Sequence, residues 1–128
     1  MQSAKNLKVA ERAMRVAKET YLVTKGFPPD ERFGLTAQMR RSAVSIGSNI
    51  AEGCGRGTDR DFCGFLHIAL GSASELEFQL ELASRLELTT PERSANLYSL
   101  VGEVKRMLAR LIVAVKARER RPKQTSQG

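Results

Sequence analysis

The feature that most limits the fold is the apolar spacing between residues 58 and 86. Phe62, Phe65, Leu66, Ala69, Ala73, Leu76, Leu80, Ala83 and Leu86 recur at intervals of three and four. Sustained over about seven turns, that spacing lays an apolar face along one long helix. Strand alternation has a period of two and does not fit it. Thr58 with Asp61 three residues later predicts a capped start.

Three further segments carry a helical period. The first covers residues 4–25, with Leu7, Ala10, Met14, Ala17 and Tyr21 expected to face the core, and Gly26 with Pro28-Pro29 to stop it. The second covers residues 36–52, after a short turn expected at 29–33. Leu35, Met39, Ala43, Ile46 and Ile50 mark its buried stripe, and Gly53, Gly55 and Gly57 end it. The fourth opens at Thr90-Pro91-Glu92, an N-cap residue followed by proline at the first helical position. It runs to residue 120. The chain has 128 residues and is 41% hydrophobic, enough for one core. The expected fold is all-α, an antiparallel up-down four-helix bundle over residues 1–121. Residues 122–128 are expected to form a disordered polar tail.

Charge is distributed unevenly over that bundle. The chain holds 21 Lys and Arg against 14 Asp and Glu, a net charge of +7. Residues 1–103 balance, with 13 basic and 13 acidic side chains. The excess lies in residues 104–128, where eight basic side chains face Glu119 alone. The acid concentrates in Glu75, Glu77, Glu81, Glu87 and Glu92.

The fourth helix separates charge from apolar bulk. With Lys105 at zero and about 100° per residue, Leu97, Leu100, Val101, Val104, Met107, Leu108, Leu111, Ile112 and Val115 fall at roughly 200–340°. Lys105, Arg106, Arg110, Lys116, Arg120 and Arg121 fall at roughly 0–160°, and only Arg118 breaks the separation. A basic stripe of this kind predicts contact with a polyanion, RNA or DNA. Lys5, Lys8, Arg12 and Arg15 join it if the two terminal helices lie side by side. Arg56 and Arg60, near the start of the third helix, are placed to reach a phosphate beside its N-terminal amides. Aromatic residues are only 5% and Trp is absent, so a stacking platform for single strands is poorly supplied.

Other chemistries lack their residues. Cys54 and Cys63 are too few for a disulfide framework or a four-ligand zinc site, and read as free thiols. His67 is the single histidine, with Gly64 three residues before it, so no Glu-x-x-His pair exists. No nucleophile–base pair emerges, and a non-enzymatic chain without cofactor or metal is expected. The run Gly53-Cys54-Gly55-Arg56-Gly57 superficially resembles a phosphate loop, but a helix precedes it instead of a strand, and it reads as a helix end. Arg41, Asn49 and Glu52 are assigned structural polar roles. Asn49 and Glu52 are expected to bond across to another helix or to pair with an arginine such as Arg41. Gly71-Ser72-Ala73-Ser74 suggests a close helix approach, inside the bundle or between subunits. Phe78 and Tyr98 lie off the main stripes, as oligomer contacts do. No apolar run reaches the roughly 18–20 residues of a spanning helix. Residues 1–19 mix charge throughout without a signal-peptide core, so a cytoplasmic chain with no membrane partner is expected.

From Phe27 to Ala83 the chain resembles a bacterial family of four-helix bundle proteins. The matching residues are Phe27-Pro28 with Glu31, Leu35-Thr36 with Gln38, Arg41, Ser45-Ile46 and Asn49-Ile50-Ala51-Glu52-Gly53. The third helix adds Phe65-Leu66, Ala69, Gly71-Ser72, Glu75-Leu76-Glu77 and Gln79-Leu80. Weaker similarity covers the remaining helices. The family includes proteins encoded in intervening sequences of large-subunit ribosomal RNA genes. A related branch is the accessory variability determinant (Avd) of diversity-generating retroelements. The resemblance implies a non-enzymatic bundle assembled as a homopentameric ring. In the retroelement branch it also implies nucleic-acid binding through a basic surface beside a reverse transcriptase. The other branch offers a protein-interaction scaffold with no retroelement role. Two departures from the family pattern are Gly47, where proline is common, and the absence of Trp in the first helix. Neither touches the basic stripe.

Overall fold

The computed structural model describes residues 4–121, with side chains from Lys8 onward. Four helices occupy them: α1 (Ala4–Lys25), α2 (Leu35–Cys54), α3 (Asp59–Arg85) and α4 (Pro91–Arg120). A single 3-10 turn, Pro29–Glu31, stands at the expected place between α1 and α2. No strand occurs among the described residues. The expected tail at 122–128, and the side chains of Lys5 and Leu7, lie outside the described residues.

The caps follow the sequence signals. Thr58 Oγ1 accepts from the Asp61 amide at 3.2 Å, and Thr90 Oγ1 from the Arg93 amide at 3.2 Å. Each removes one orphan donor at a helix start. At α2 the cap comes from Glu31, whose carboxylate accepts from the Leu35 amide at 3.2 Å.

Each helix packs against its two neighbours in a closed square, and α1 meets α4. Cross-helix pairs fix the directions. Thr24 meets Arg40, Ser42 meets Glu75 and Ser45 meets Ser72. Lys105 meets Glu77, and Arg118 meets Asp59. As one number rises its partner falls, so neighbours run antiparallel. The core is apolar and drawn from all four helices. Phe62, Met39, Ile46, Ile50, Leu66, Leu76, Leu80, Leu97 and Leu108 are fully buried. Burial of one such side chain stabilises by about 1.5–3 kcal/mol.

The faces of α2, α3 and α4 are those expected, with Phe65 at the margin and Leu86 outside. The face of α1 differs. Val9, Ala13, Val16, Thr20 and Thr24 are buried, while Met14 is 71% exposed and Tyr21 is exposed too. The true stripe is displaced by one residue, about 100°. Two threonines mask it in the sequence. Their hydroxyls donate to the carbonyls of Val16 at 2.7 Å and Thr20 at 2.8 Å, so their methyl groups can face the core. Tyr21 is covered from outside by the Arg40 guanidinium, 4.5 Å from the ring centroid.

Candidate nucleic-acid interface

The predicted stripe of α4 sorts into two sets. Leu97, Leu100, Val101, Val104, Leu108, Leu111, Ile112 and Val115 are buried, and Met107 is half-buried against them. That anchors α4 and turns Arg106, Arg110, Arg120 and Arg121 outward, with Lys116 half-exposed beside them. Among the described residues none of these five is paired with a carboxylate. Arg120 also lies in the last turn of α4, where a cation is favoured by the helix dipole.

Three expected phosphate ligands have intramolecular partners instead. Lys105 sits at the α3–α4 seam, its Nζ 2.9 Å from Glu77 Oε1. Arg12 donates to Glu103 at 2.6 Å and to Glu11 at 2.7 Å. These hydrogen bonds, Glu103 first, hold its guanidinium more firmly protonated than usual. Arg56 pairs with Glu52 at 3.3 Å and lies over the Phe65 ring at 4.8 Å. Lys105 and Arg12 reach carboxylates of neighbouring helices, in a register a single-helix projection does not contain, whereas the partner of Arg56 is local, four residues back. Arg60 is exposed. The outlier Arg118 is explained in the same way, by the pair it makes with Asp59 of α3.

The terminal helices do lie side by side. Lys8 and Arg15 are exposed on α1, and Lys8 shares a groove with Arg110 of α4. That groove measures about 370 Å³, with Val9, Met107, Leu111 and Ala114 forming its apolar lining. The antiparallel order gathers charge at one end. The start of α1, the end of α4 and the α2–α3 turn carry Lys8, Arg110, Lys116, Arg120, Arg121, Arg56 and Arg60. Glu81, Glu87 and Glu92 lie at the other end.

The polar set on α2 follows expectation in Glu52, which pairs with an arginine, but not in Asn49 or Arg41. Asn49 bonds within its own helix, donating to the Ser45 carbonyl at 2.8 Å and to Ser45 Oγ at 3.0 Å. Glu52 pairs with Arg56, not Arg41. Arg41 is too far along the helix and faces a groove of about 460 Å³ between α2 and α3. The cross-helix bonds come from serines, among them Ser72 of the small-residue run on α3. Ser42 donates to Glu75 at 3.0 Å, and Ser45 and Ser72 share a hydrogen bond of 2.9 Å. Small hydroxyls facing each other on adjacent antiparallel helices were the available signal. Of the small-residue run expected at a close approach, Ser72 meets Ser45 of α2 and Ala73 is fully buried, whereas Gly71 faces outward, with nothing within 4 Å of an added Cβ.

Among the described residues no three His, Cys, Asp or Glu gather as a metal site. Cys54 and Cys63 are free, and burial pushes the Cys54 thiol upward, toward its unreactive protonated form. No helix among the described residues is long and apolar enough to cross a membrane.

This bundle, with its basic last helix, matches a known family over most of its length. The profile of the 23S rRNA-intervening sequence proteins covers residues 5–110. The chain belongs to that family. A solved structure shares its fold as well as its sequence. It is a protein of unknown function from the S23 ribosomal protein family of Bacteroides thetaiotaomicron. It is 30% identical, covering 85% of this chain and 98% of that one, with a TM-score of 0.78. No curated protein matches the chain. The intervening-sequence family match spans all of α1, α2 and α3 except the first residue of α1, and ends at Arg110, inside the basic stripe.

Proposed function

We propose that this intervening-sequence family member is a non-enzymatic accessory protein that binds the phosphate backbone of RNA or DNA. The observation that carries the reading is the set of unpaired cations on α4: Arg106, Arg110, Lys116, Arg120 and Arg121. Lys and Arg contacts of this kind give affinity with little sequence readout. Several copies in a ring, the homopentamer the resemblance implies, would present several stripes to one polyanion and raise a weak affinity through multivalency. Exposed Phe78, Leu82 and Leu86 along α3 and the open flank at Gly71 support such an assembly. A reverse transcriptase of a diversity-generating retroelement is the polymerase partner this reading names.

A titration with structured RNA and with duplex DNA at several salt concentrations tests the proposal. Binding should weaken steeply with salt, with a negative slope of log affinity against log salt. Absence of binding at low salt would overturn it. A second reading, a protein-interaction scaffold, is favoured by the same exposed apolar residues of α3. In it the basic face docks an acidic protein surface, and nucleic acid does not bind.

A further inference from the structure

We propose that the groove between α1 and α4 seats an unpaired nucleobase, so that the chain prefers single-stranded nucleic acid to duplex. The inference rests on the phosphate-binding reading above and adds a substrate class to it. The groove, about 370 Å³, falls within the size range of small-ligand sites. Val9 and Leu111 close its floor and are buried, and Met107 lines its wall. Lys8 and Arg110 stand at its rim, exposed, with no carboxylate partner among the described residues. A slot with four apolar residues, the paired Arg12 and Glu103 in its lining, and two unpaired cations beside them complements a flat ring flanked by phosphates. The ring enters the slot, and the phosphates on either side meet Lys8 and Arg110. A base held in a duplex presents only its edges and cannot enter; an unpaired base can.

Arg12 supplies the plane against which the ring lies. Its guanidinium is fixed by the carboxylates of Glu103 and Glu11 at 2.6 and 2.7 Å. Bonded to two carboxylates, in a cluster of net charge −1, it is a poor phosphate ligand but a held flat surface. Guanidinium planes are established partners for stacked bases. The polarisable thioether of Met107 favours aromatic contact from the other side. Together they replace the aromatic platform that a chain with no Trp and 5% aromatics lacks. The preference has a definite direction. Phosphate contact alone favours duplex, which carries the higher charge density. A preference for single strands therefore requires contact with bases.

The test uses fluorescence anisotropy with three probes: a mixed-sequence single strand, an abasic backbone of equal length, and a duplex. The intact strand should bind about tenfold more tightly than the abasic one, the scale of one stacked base. Ala114→Leu fills the groove without changing charge; it should bring the two affinities together and leave duplex binding unchanged. If the wild-type protein binds intact and abasic strands alike, or binds duplex best, the groove holds no base, although the basic surface stands. If no probe binds at low salt, the phosphate-binding reading falls and the base seat with it. If Ala114→Leu loses helicity by circular dichroism, the wild-type ratio of intact to abasic binding still decides.

Discussion

Arg118 Nη2 donates to Asp59 Oδ1 at 2.8 Å, and Arg118 Nε donates to Asp59 Oδ2 at 3.1 Å. This two-pronged pair ties the last turns of α4 to the first turn of α3. It also places the carboxylate at a helix N-terminus, where the dipole favours it. Arg118, which the projection puts on the apolar side of α4, is therefore a strut between helices and not part of the outward stripe.

Stability should depend on pH through this pair. The Arg118 hydrogen bonds hold the Asp59 carboxyl below its usual range. A depressed value means the stabilisation is complete above the unfolded value, about 3.9, and is lost as pH falls through the lowered folded value. Both side chains are more than a third exposed, so the pair contributes less than about 1 kcal/mol. Asp59→Asn should lower the unfolding free energy measured in urea by that amount near neutral pH. At the acid end the two proteins should converge. An undiminished gap there would mean the loss is not ionic.

The faces of α2, α3 and α4 were legible because Leu, Ile, Val, Phe, Met and Ala follow one another there at unbroken spacing. The face of α1 was not, since Thr20 and Thr24 count as polar in a sequence but are buried by bonding their own helix. The α4 stripe was legible as angles on one helix. What angles could not give is which cations are already paired. Lys105 meets Glu77 and Arg12 meets Glu103 only because α4 packs against α3 and α1 in this register. Those contacts span 28 and 91 residues of sequence. The end of α3 was legible to within one residue from the last periodic leucine, although neither glycine nor proline marks it.

The unpaired and paired cations should behave differently in nucleic-acid binding. Arg106→Glu with Arg110→Glu should abolish binding at physiological salt and leave helicity intact. Milder Arg106→Ala with Arg110→Ala should reduce the salt slope by about 2, one for each lost phosphate contact. Lys105→Ala should change binding less, because its ammonium already serves Glu77. Equal effects from all three positions, measured by salt-dependent anisotropy, would mean the Glu77 pair opens on binding.

Two glycines should respond oppositely to alanine. A Cβ at Gly53 would lie 2.9 Å from both Phe62 Cδ1 and Phe65 Cβ, where the end of α2 packs on the start of α3. Gly53→Ala should destabilise by about 1–3 kcal/mol through overpacking. Gly71 faces open space within the protomer, so Gly71→Ala should stabilise by about 1 kcal/mol through helix propensity. Thermal unfolding measures both. Native mass spectrometry of Gly71→Ala adds a readout: loss of an assembled species would place Gly71 at a subunit contact.

Glu87 offers the last prediction. Its φ is 59°, the one positive value at a non-glycine residue among those described. The amide of Leu88 donates to the Ala83 carbonyl at 2.9 Å, closing α3 with the left-handed residue between them. The Leu88 side chain packs partly against the core, which fixes the turn in place. A glutamate in that conformation carries a Cβ penalty that glycine avoids, about 1–2 kcal/mol. Glycine would be more flexible in the unfolded chain, which offsets part of the gain. Glu87→Gly should therefore raise stability by up to about 1 kcal/mol, while Glu87→Ala should not. Removing the charge explains neither outcome, since both variants lose the same carboxylate. Chemical denaturation of the two side by side separates them: equal midpoints would show that the backbone conformation is not the source of the penalty.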